Sequence, residues 1–193
     1  MFNKYYKTLL IWNEKINLIS RKEENILEKH FLDSILFLPE IEGLANQIPT
    51  MFDIGSGGGF PAIPIAIMKP DWQFTLCESI KKKVGFVEHL IKELGLKNVE
   101  IINARVENVK VIHELPQQHD FVTARAVAKL DILIKYALPL LKKGSYLLAY
   151  KAKDIDEEIK NAKKLIEKNR LDLQIFSKEV NGVERKLVTL RAL

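Results

Sequence analysis

The stretch Asp53-Ile54-Gly55-Ser56-Gly57-Gly58-Gly59-Phe60-Pro61 decides how this chain folds. It overlaps Met51-Phe52-Asp53-Ile54, a short strand candidate, and ends on Pro61, which suits the first turn of a helix. Glycines after a strand let the backbone turn sharply and approach a ligand. The helix start that follows presents unpaired N–H groups. Strand, glycine loop and helix in that order predict an open α/β sheet, whose ligands bind beyond the carboxyl ends of the strands. Glu78 lies nineteen residues after Gly59, at the end of the next strand candidate, Trp72 to Cys77. A carboxylate there can accept hydrogen bonds from both hydroxyls of a ribose, so loop and acid together predict an adenosine-containing cofactor. The competing reading is a tight structural turn beside a surface glutamate. Four glycines in positions 55–59 cost folding entropy that a plain turn need not spend.

A nicotinamide fold wants a third glycine that packs helix against sheet. Here Phe60 and Pro61 follow Gly59, so that pattern is broken. S-adenosylmethionine carries no phosphate but has a sulfonium and an amino-acid end. Asp53, just before the loop, could orient backbone amides or the ligand's ammonium. The residues therefore favour a methyltransferase over a dehydrogenase.

Outward from the loop, apolar runs alternate with periodic segments. Ser79 is positioned to cap a helix running to Leu94, which Gly95 can end. Asn98 to Ile102 and Asp120 to Thr123 read as strands, Lys129 to Leu141 as a helix, and Ser145 to Tyr150 as a fifth strand. A charged helix covers roughly Ile155 to Lys168, and Leu171–Phe176 with Lys186–Arg191 read as a terminal hairpin. This alternation predicts a mostly parallel seven-stranded sheet with helices on both faces. Before it, Tyr5, Leu9, Trp12, Ile16 and Ile19 stripe one helix, and Ile26, Leu27, Phe31, Ile35 and Leu38 a second, with Pro39 marking its end. Gly43 to Pro49 reads as a linker. The expected division is a helical extension over 1–48 and a sheet domain over 49–193.

The 193 residues suit one domain with a small appendage and need no staples. One cysteine, Cys77, excludes an internal disulfide framework and is expected inside a strand as a small core residue. No run of 18 apolar residues marks a membrane span, and no leader pattern opens the chain. His30, His89, His113 and His119 show no metal spacing, so no metal is expected. His30, with Asp33 one turn on, reads as a helix–helix contact or as a residue of the substrate mouth. The net charge of +5 lies entirely in residues 51–193, while residues 1–50 are net −1. Such a mild excess hints at an anionic partner. The cluster Lys81-Lys82-Lys83 reads as a solvated helix face, or with Arg125, Lys129 and Lys151 as phosphate contacts near strand ends.

Several islands resemble the glucose-inhibited division protein B family, bacterial methyltransferases acting on guanine N7 of small-subunit 16S rRNA. Asn17-Leu18-Ile19-Ser20 and His30-Phe31-Leu32-Asp33-Ser34 are similar to its early segments. Asp53 to Pro64, with both prolines, resembles its cofactor loop, and Glu78-Ser79-x-x-Lys82-Lys83, Arg105-Val106-Glu107 and Ala124-Arg125-Ala126 follow in order. Ala62 stands where the family has glycine, and Tyr150-Lys151-Ala152 replaces Leu-Lys-Gly. The resemblance implies a class I, Rossmann-like S-adenosylmethionine-dependent fold. It implies cofactor contacts from Gly55, Phe60, Val106, Glu107 and Arg125, joining Asp53, Gly57, Gly59 and Glu78 read from the loop. It also implies 16S rRNA as partner, within a small-subunit particle, a cytoplasmic location and a monomeric enzyme.

Guanine N7 has an in-plane lone pair and no proton. Attack on a sulfonium methyl needs alignment rather than a general base. No acid or base is therefore assigned, and Arg125 and Lys151 are expected as substrate clamps. Three other readings stay open: a nicotinamide oxidoreductase, a non-catalytic module that binds cofactor or RNA, and a methyltransferase with another target.

Overall fold

The computed structural model describes residues 1–45, 48–108, 119–151 and 155–193. His113 and Ala152, named above, lie outside the described residues. Seven strands form one sheet: β1 (Thr50–Ile54), β2 (Gln73–Glu78), β3 (Val99–Asn103), β4 (His119–Arg125), β5 (Leu141–Lys151), β6 (Leu171–Val180) and β7 (Val183–Ala192). Their order is β3-β2-β1-β4-β5-β7-β6. The first five pair in parallel, and β7 runs antiparallel between β5 and β6. This is the expected seven-stranded, mostly parallel sheet with a terminal hairpin. The chain leaves β1 to one side for β2 and β3, then returns to the other for β4 and β5. The crevice between β1 and β4 is the place where such sheets bind ligands.

Parallel strands are buried on both faces, and their residues alternate between two apolar layers. Met51, Phe74, Leu76, Phe121 and Leu148 face one layer with Tyr5, Phe31, Phe37, Ile41, Ile63 and Phe86. Phe52, Ile54, Cys77, Val122, Leu147 and Val188 face the other with Leu133, Ile134 and Ala162. The first layer holds the N-terminal helices, α4 (Ala62–Met68) and α5 (Lys81–Leu94), and the second holds α6 (Leu130–Ala137) and α7 (Asp156–Lys168). Residues at the N-terminus thus share a core with the sheet. Tyr5 and Leu9 are 0% exposed, and each fully buried side chain of this size contributes about 1.5–3 kcal/mol.

Several boundaries differ from the sequence reading, each for a local reason. α1 (Phe2–Asn13) stops before Ile16 because Asn13 Oδ1 accepts the backbone N–H of Leu18 (2.8 Å) and Ile19 (3.1 Å). That bond folds the chain back and still buries Ile19. The second stripe is not one helix: a π-helical segment, Leu27–Leu32, runs into a single turn, α2 (Asp33–Ile35). Pro39 lies in the first turn of α3 (Leu38–Leu44), so the proline starts a helix instead of ending one. α3 also takes Gly43 and Leu44 from the expected linker. Ser79 does not cap α5; the Glu78 carboxylate accepts the Ile80 N–H at 2.8 Å instead. Gly95 ends α5 with φ +69°, as expected. The helix after β4 ends at Ala137, because Pro139 sits in a separate 3-10 turn, Leu138–Leu140. The hairpin strands run longer than expected, joined at Asn181 and Gly182, both at positive φ.

Candidate functional site

The glycine loop wraps the carboxyl end of β1. Gly55 N–H and Ser56 N–H donate to the Cys77 carbonyl at 2.8 and 3.2 Å, and Gly59 N–H donates to Ser56 O at 2.7 Å. Two of its glycines have no substitute. At Gly55 (φ +66°) a Cβ would lie 2.9 Å from Val127 Cγ2. At Gly59 (φ +90°) it would lie 2.8 Å from both Ile63 Cγ1 and Tyr5 Oη. Tyr5 also donates its hydroxyl to the Gly58 carbonyl, so α1 presses directly on the loop.

Two carboxylates flank it. Glu78 is 5% exposed, and its Oε2 accepts the Gly57 N–H at 3.0 Å while Oε1 takes Ile80 N–H. Oε1 also takes a long contact from Ser79 Oγ at 3.5 Å, which leaves Oε2 with a further lone pair for a ligand hydroxyl. Asp53 is 1% exposed; its Oδ1 accepts from Thr123 Oγ1 at 2.7 Å, and its Oδ2 has no partner. Burial pushes the Asp53 carboxyl up to about 7, against the hydrogen bond from Thr123. An orphaned buried acceptor at the mouth of a glycine loop fits a ligand cation, such as the ammonium of an amino-acid moiety. Phe60 is 4% exposed, with its ring stacked on Tyr5 at 5.2 Å and the Arg125 guanidinium over its face at 5.1 Å.

Beside the loop lies a cavity of about 180 Å³, the scale of a nucleobase, bounded by Gly55, Ser79, Val106, Glu107, Val127 and Tyr136 among others. Val106 and Glu107, expected as cofactor contacts, therefore meet the loop across one cavity. Tyr136 donates to Glu107 Oε1 at 3.0 Å and fixes its carboxylate. Sequence reasoning missed Tyr136, which sits on α6, far along the chain, with no motif around it. Cys77 also touches this cavity, but its thiol donates to the Ala104 carbonyl at 3.3 Å and burial raises it to about 12. It is the core residue expected, not a nucleophile.

A second cavity of about 690 Å³ opens where the N-terminal segment, β4 and the terminal hairpin meet. Arg125 is tied into it from several sides: Nη1 reaches Lys29 O (3.1 Å) and Asp33 Oδ2 (3.2 Å), and Nη2 lies 2.9 Å from His30 Nδ1. Asp33 Oδ1 also pairs with Arg185 Nε at 3.0 Å, so one carboxylate joins β4 to β7. Lys151 lines the same cavity, with Nζ 2.6 Å from Glu158 Oε2 and 3.0 Å from the Ala128 carbonyl. Glu158 in turn accepts the Leu130 N–H at 2.9 Å and so caps α6. Lys129 borders this cavity, whereas Lys81 and Lys82 are exposed at the start of α5 and border neither cavity. His30 packs 5.1 Å from the Phe60 ring, against the glycine loop rather than a second helix, and lines this cavity. Sequence reasoning did not find Arg185 or Glu158, since their partners lie on other elements.

Among the described residues no cluster of His, Cys, Asp or Glu could hold a metal ion, and no helix is long and apolar enough to cross a membrane.

The family model described as rRNA small subunit methyltransferase G, or GidB, matches residues 1–188. The chain is 44% identical over 169 residues to the Ribosomal RNA small subunit methyltransferase G of Desulforamulus reducens, covering 86% of this chain and 69% of that one. It is 42% identical over 167 residues to the protein of the same name from Lactococcus lactis subsp. lactis, with coverage of 86% and 69%. Among solved structures it resembles an O-methyltransferase from Bacillus cereus in complex with SAH (TM-score 0.67, 16% identity, 98% of this chain and 90% of that one). It also resembles a precorrin-6y C5,15-methyltransferase from Geobacter metallireducens (TM-score 0.62, 15% identity, 89% and 92%). At those identities the structural likeness concerns the fold.

Proposed function

This chain belongs to the GidB family of rRNA small subunit methyltransferases, and from that premise we infer that it methylates N7 of a guanine in 16S rRNA. It is an S-adenosylmethionine-dependent enzyme of the class I fold. The observation that carries the reading is the glycine loop at the β1–β4 crevice, with the orphaned Asp53 Oδ2 on one side and the Arg125 mouth on the other.

S-adenosylmethionine supplies a methyl group already activated by the sulfonium. Asp53 would hold its ammonium, and Glu78 its ribose hydroxyls. Gly55, Gly57 and Gly59 would let the backbone approach, with Phe60 closing the loop. Val106 and Glu107 would border its adenine. Arg125 and Lys151 act on the substrate side as fixed cations for phosphate. Arg125 is suited to that because His30, Asp33 and the Phe60 face hold its guanidinium in place. Such alignment can supply roughly 7–11 kcal/mol of a barrier. No side chain needs to remove a proton, because N7 carries none. His30 fits that economy: burial, aided by the Arg125 charge, lowers it to about 4, so the ring is neutral at physiological pH.

In this reading residues 1–48 are a helical extension that walls the mouth, and residues 49–193 are the methyltransferase domain. The enzyme works as a cytoplasmic monomer. Its net charge of +5 supports weak phosphate contacts, so the small-subunit particle itself presents the base. A nicotinamide oxidoreductase is disfavoured, since a buried Phe60 stands at the sequence position where that fold has its third glycine.

The test is to map 7-methylguanosine in 16S rRNA from cells lacking the gene and from the same cells supplied with this chain. Restoration of one methylated guanine is expected. Restored methyl transfer at any other atom or to any other molecule would sink the guanine-N7 reading.

A further inference from the structure

A base that accepts a methyl group must be chosen as well as held. The mouth contains a donor and an acceptor that the protein leaves unused. Arg125 Nη2 lies 2.9 Å from His30 Nδ1. A guanidinium can only donate, so Nδ1 accepts and the ring proton sits on Nε2. That Nε2–H has no hydrogen-bond partner. Glu23 Oε2 faces it at 3.9 Å, beyond hydrogen-bond reach. The other Glu23 oxygen, Oε1, is held by Lys29 Nζ at 2.7 Å. That hydrogen bond keeps the Glu23 carboxyl below its ordinary range, so the free oxygen is an ionised acceptor.

Buried polar groups in native proteins are nearly always paired, and an unpaired one asks for an explanation. Both side chains line the 690 Å³ cavity, 16% and 21% exposed, while the His30 Nε2 atom itself is buried, so a base reaches it only as Glu23 gives way. The His30 ring also packs against Phe60, the residue that closes the glycine loop. The unused pair therefore stands beside the place where the methyl group would be delivered.

We propose that His30 and Glu23 read the target base, with His30 Nε2–H donating to guanine O6 and Glu23 Oε2 accepting from guanine N1–H. This rests on the guanine-N7 reading above. O6 and N1–H are adjacent on one edge of the base and call for a neighbouring donor and acceptor, in that order. Adenine carries an amine in place of O6 and a bare nitrogen in place of N1–H. Each contact would then oppose donor to donor or acceptor to acceptor, which discriminates more strongly than a lost apolar contact. Entry of the base parts Glu23 from His30. Lys29 keeps its hold on the other carboxylate oxygen and so orients the acceptor. Arg125 acts on the same pair as a positioning residue, since its donation to Nδ1 sets the tautomer.

The test uses the full chain and small-subunit particles carrying guanosine, inosine or 2-aminopurine at the methylated position. Inosine keeps O6 and N1–H, and 2-aminopurine lacks both. The wild type should methylate inosine within about threefold of guanosine and 2-aminopurine at least ~100-fold less well. His30→Asn keeps an acceptor for Arg125 at the place of Nδ1 but draws the remaining N–H back from the reach of Nε2, and Glu23→Gln keeps size but loses the charge. Each should lower kcat/KM on guanosine roughly 10- to 100-fold, and narrow the gap to 2-aminopurine. The dissociation constant for S-adenosylmethionine should stay within about twofold, which a general structural defect would not spare. The proposal is overturned if both variants match the wild type on guanosine, or lose guanosine and 2-aminopurine equally. It is equally overturned if the loss follows weakened cofactor binding. If His30→Asn does not fold, Glu23→Gln, on the rim, carries the test alone. A wild type that leaves guanosine particles without 7-methylguanosine defeats the guanine-N7 reading itself, a separate result.

Discussion

Asp53→Asn isolates the carboxyl that burial holds furthest from its ordinary behaviour. In the folded chain burial raises Asp53 from 3.8 to about 7, with the Thr123 hydrogen bond opposing it. At 1.36 kcal/mol per pH unit, keeping it ionised at pH 8 sets about 4 kcal/mol against folding. The folded pKa lies above the unfolded one. The stability associated with the protonated acid is therefore fully present below about pH 4 and is lost as pH rises to about 7. Asparagine cannot ionise, yet its Oδ1 can still accept from Thr123 Oγ1, now at 2.7 Å. Urea denaturation at half-unit pH intervals should show Asp53→Asn gaining on the wild type by about 4 kcal/mol between pH 4 and 8, with a plateau above about pH 7. Cofactor affinity should move the other way. The wild type should bind S-adenosylmethionine about tenfold more weakly per pH unit below 7, as Asp53 takes up a proton, while Asp53→Asn binds weakly and without that slope. Parallel stability curves for the two proteins would refute the reasoning, because they would mean that the buried acid ionises as freely as in the unfolded chain.

Three further outcomes follow from the same loop and strand. Gly59→Ala places a Cβ 2.8 Å from Ile63 and Tyr5 at φ +90°, and should lose about 1–3 kcal/mol of stability for the backbone strain before any clash is counted, read from the denaturation midpoint. Tyr5→Phe removes the donor to the buried Gly58 carbonyl and should cost about 1–3 kcal/mol. It should also raise the KM for S-adenosylmethionine more than it lowers kcat, and an unchanged KM would show that α1 does not steady the loop. Cys77, with its thiol near 12, should resist iodoacetamide at pH 8 in the native protein and react once urea unfolds it. Rapid labelling of the folded chain would contradict the burial argument.

The fold was legible because its signals are local. The glycine run after β1, the spaced Glu78 and the strand–helix alternation all lie within short windows, and the observed strands follow them. The misreadings share a cause as well. Pro39 starts α3 instead of ending a helix, and Asn13 turns the chain back on itself. Each depends on where the neighbouring segment goes, which periodicity does not encode. The site divides in the same way. The loop, Glu78, Val106 and Glu107 could be picked out by motif and order. The pairing of Asp33 with both Arg125 and Arg185, and of Lys151 with Glu158, could not. These contacts are made by the sheet order, which sets β4, β5 and β7 side by side under the N-terminal segment.

That arrangement also governs the order in which a newly made chain becomes competent. The N-terminal segment is stitched to β5 and the terminal hairpin by contacts between distant parts of the sequence. Lys178 Nζ meets Leu36 O and Glu40, Asn181 meets Glu28, and Tyr150 Oη meets Ser34 O. The glycine loop leaves the ribosome well before the hairpin does. Until β7 arrives β6 has no neighbour, since β7 lies between it and β5. A nascent chain at that stage bears an unpaired strand edge, the kind of surface on which other chains seed. β7 therefore acts as a latch: its insertion removes the hazard and closes the wall of the larger cavity in one event. A stop codon within Val183–Ala192 would leave the glycine loop encoded in full and the sheet unfinished.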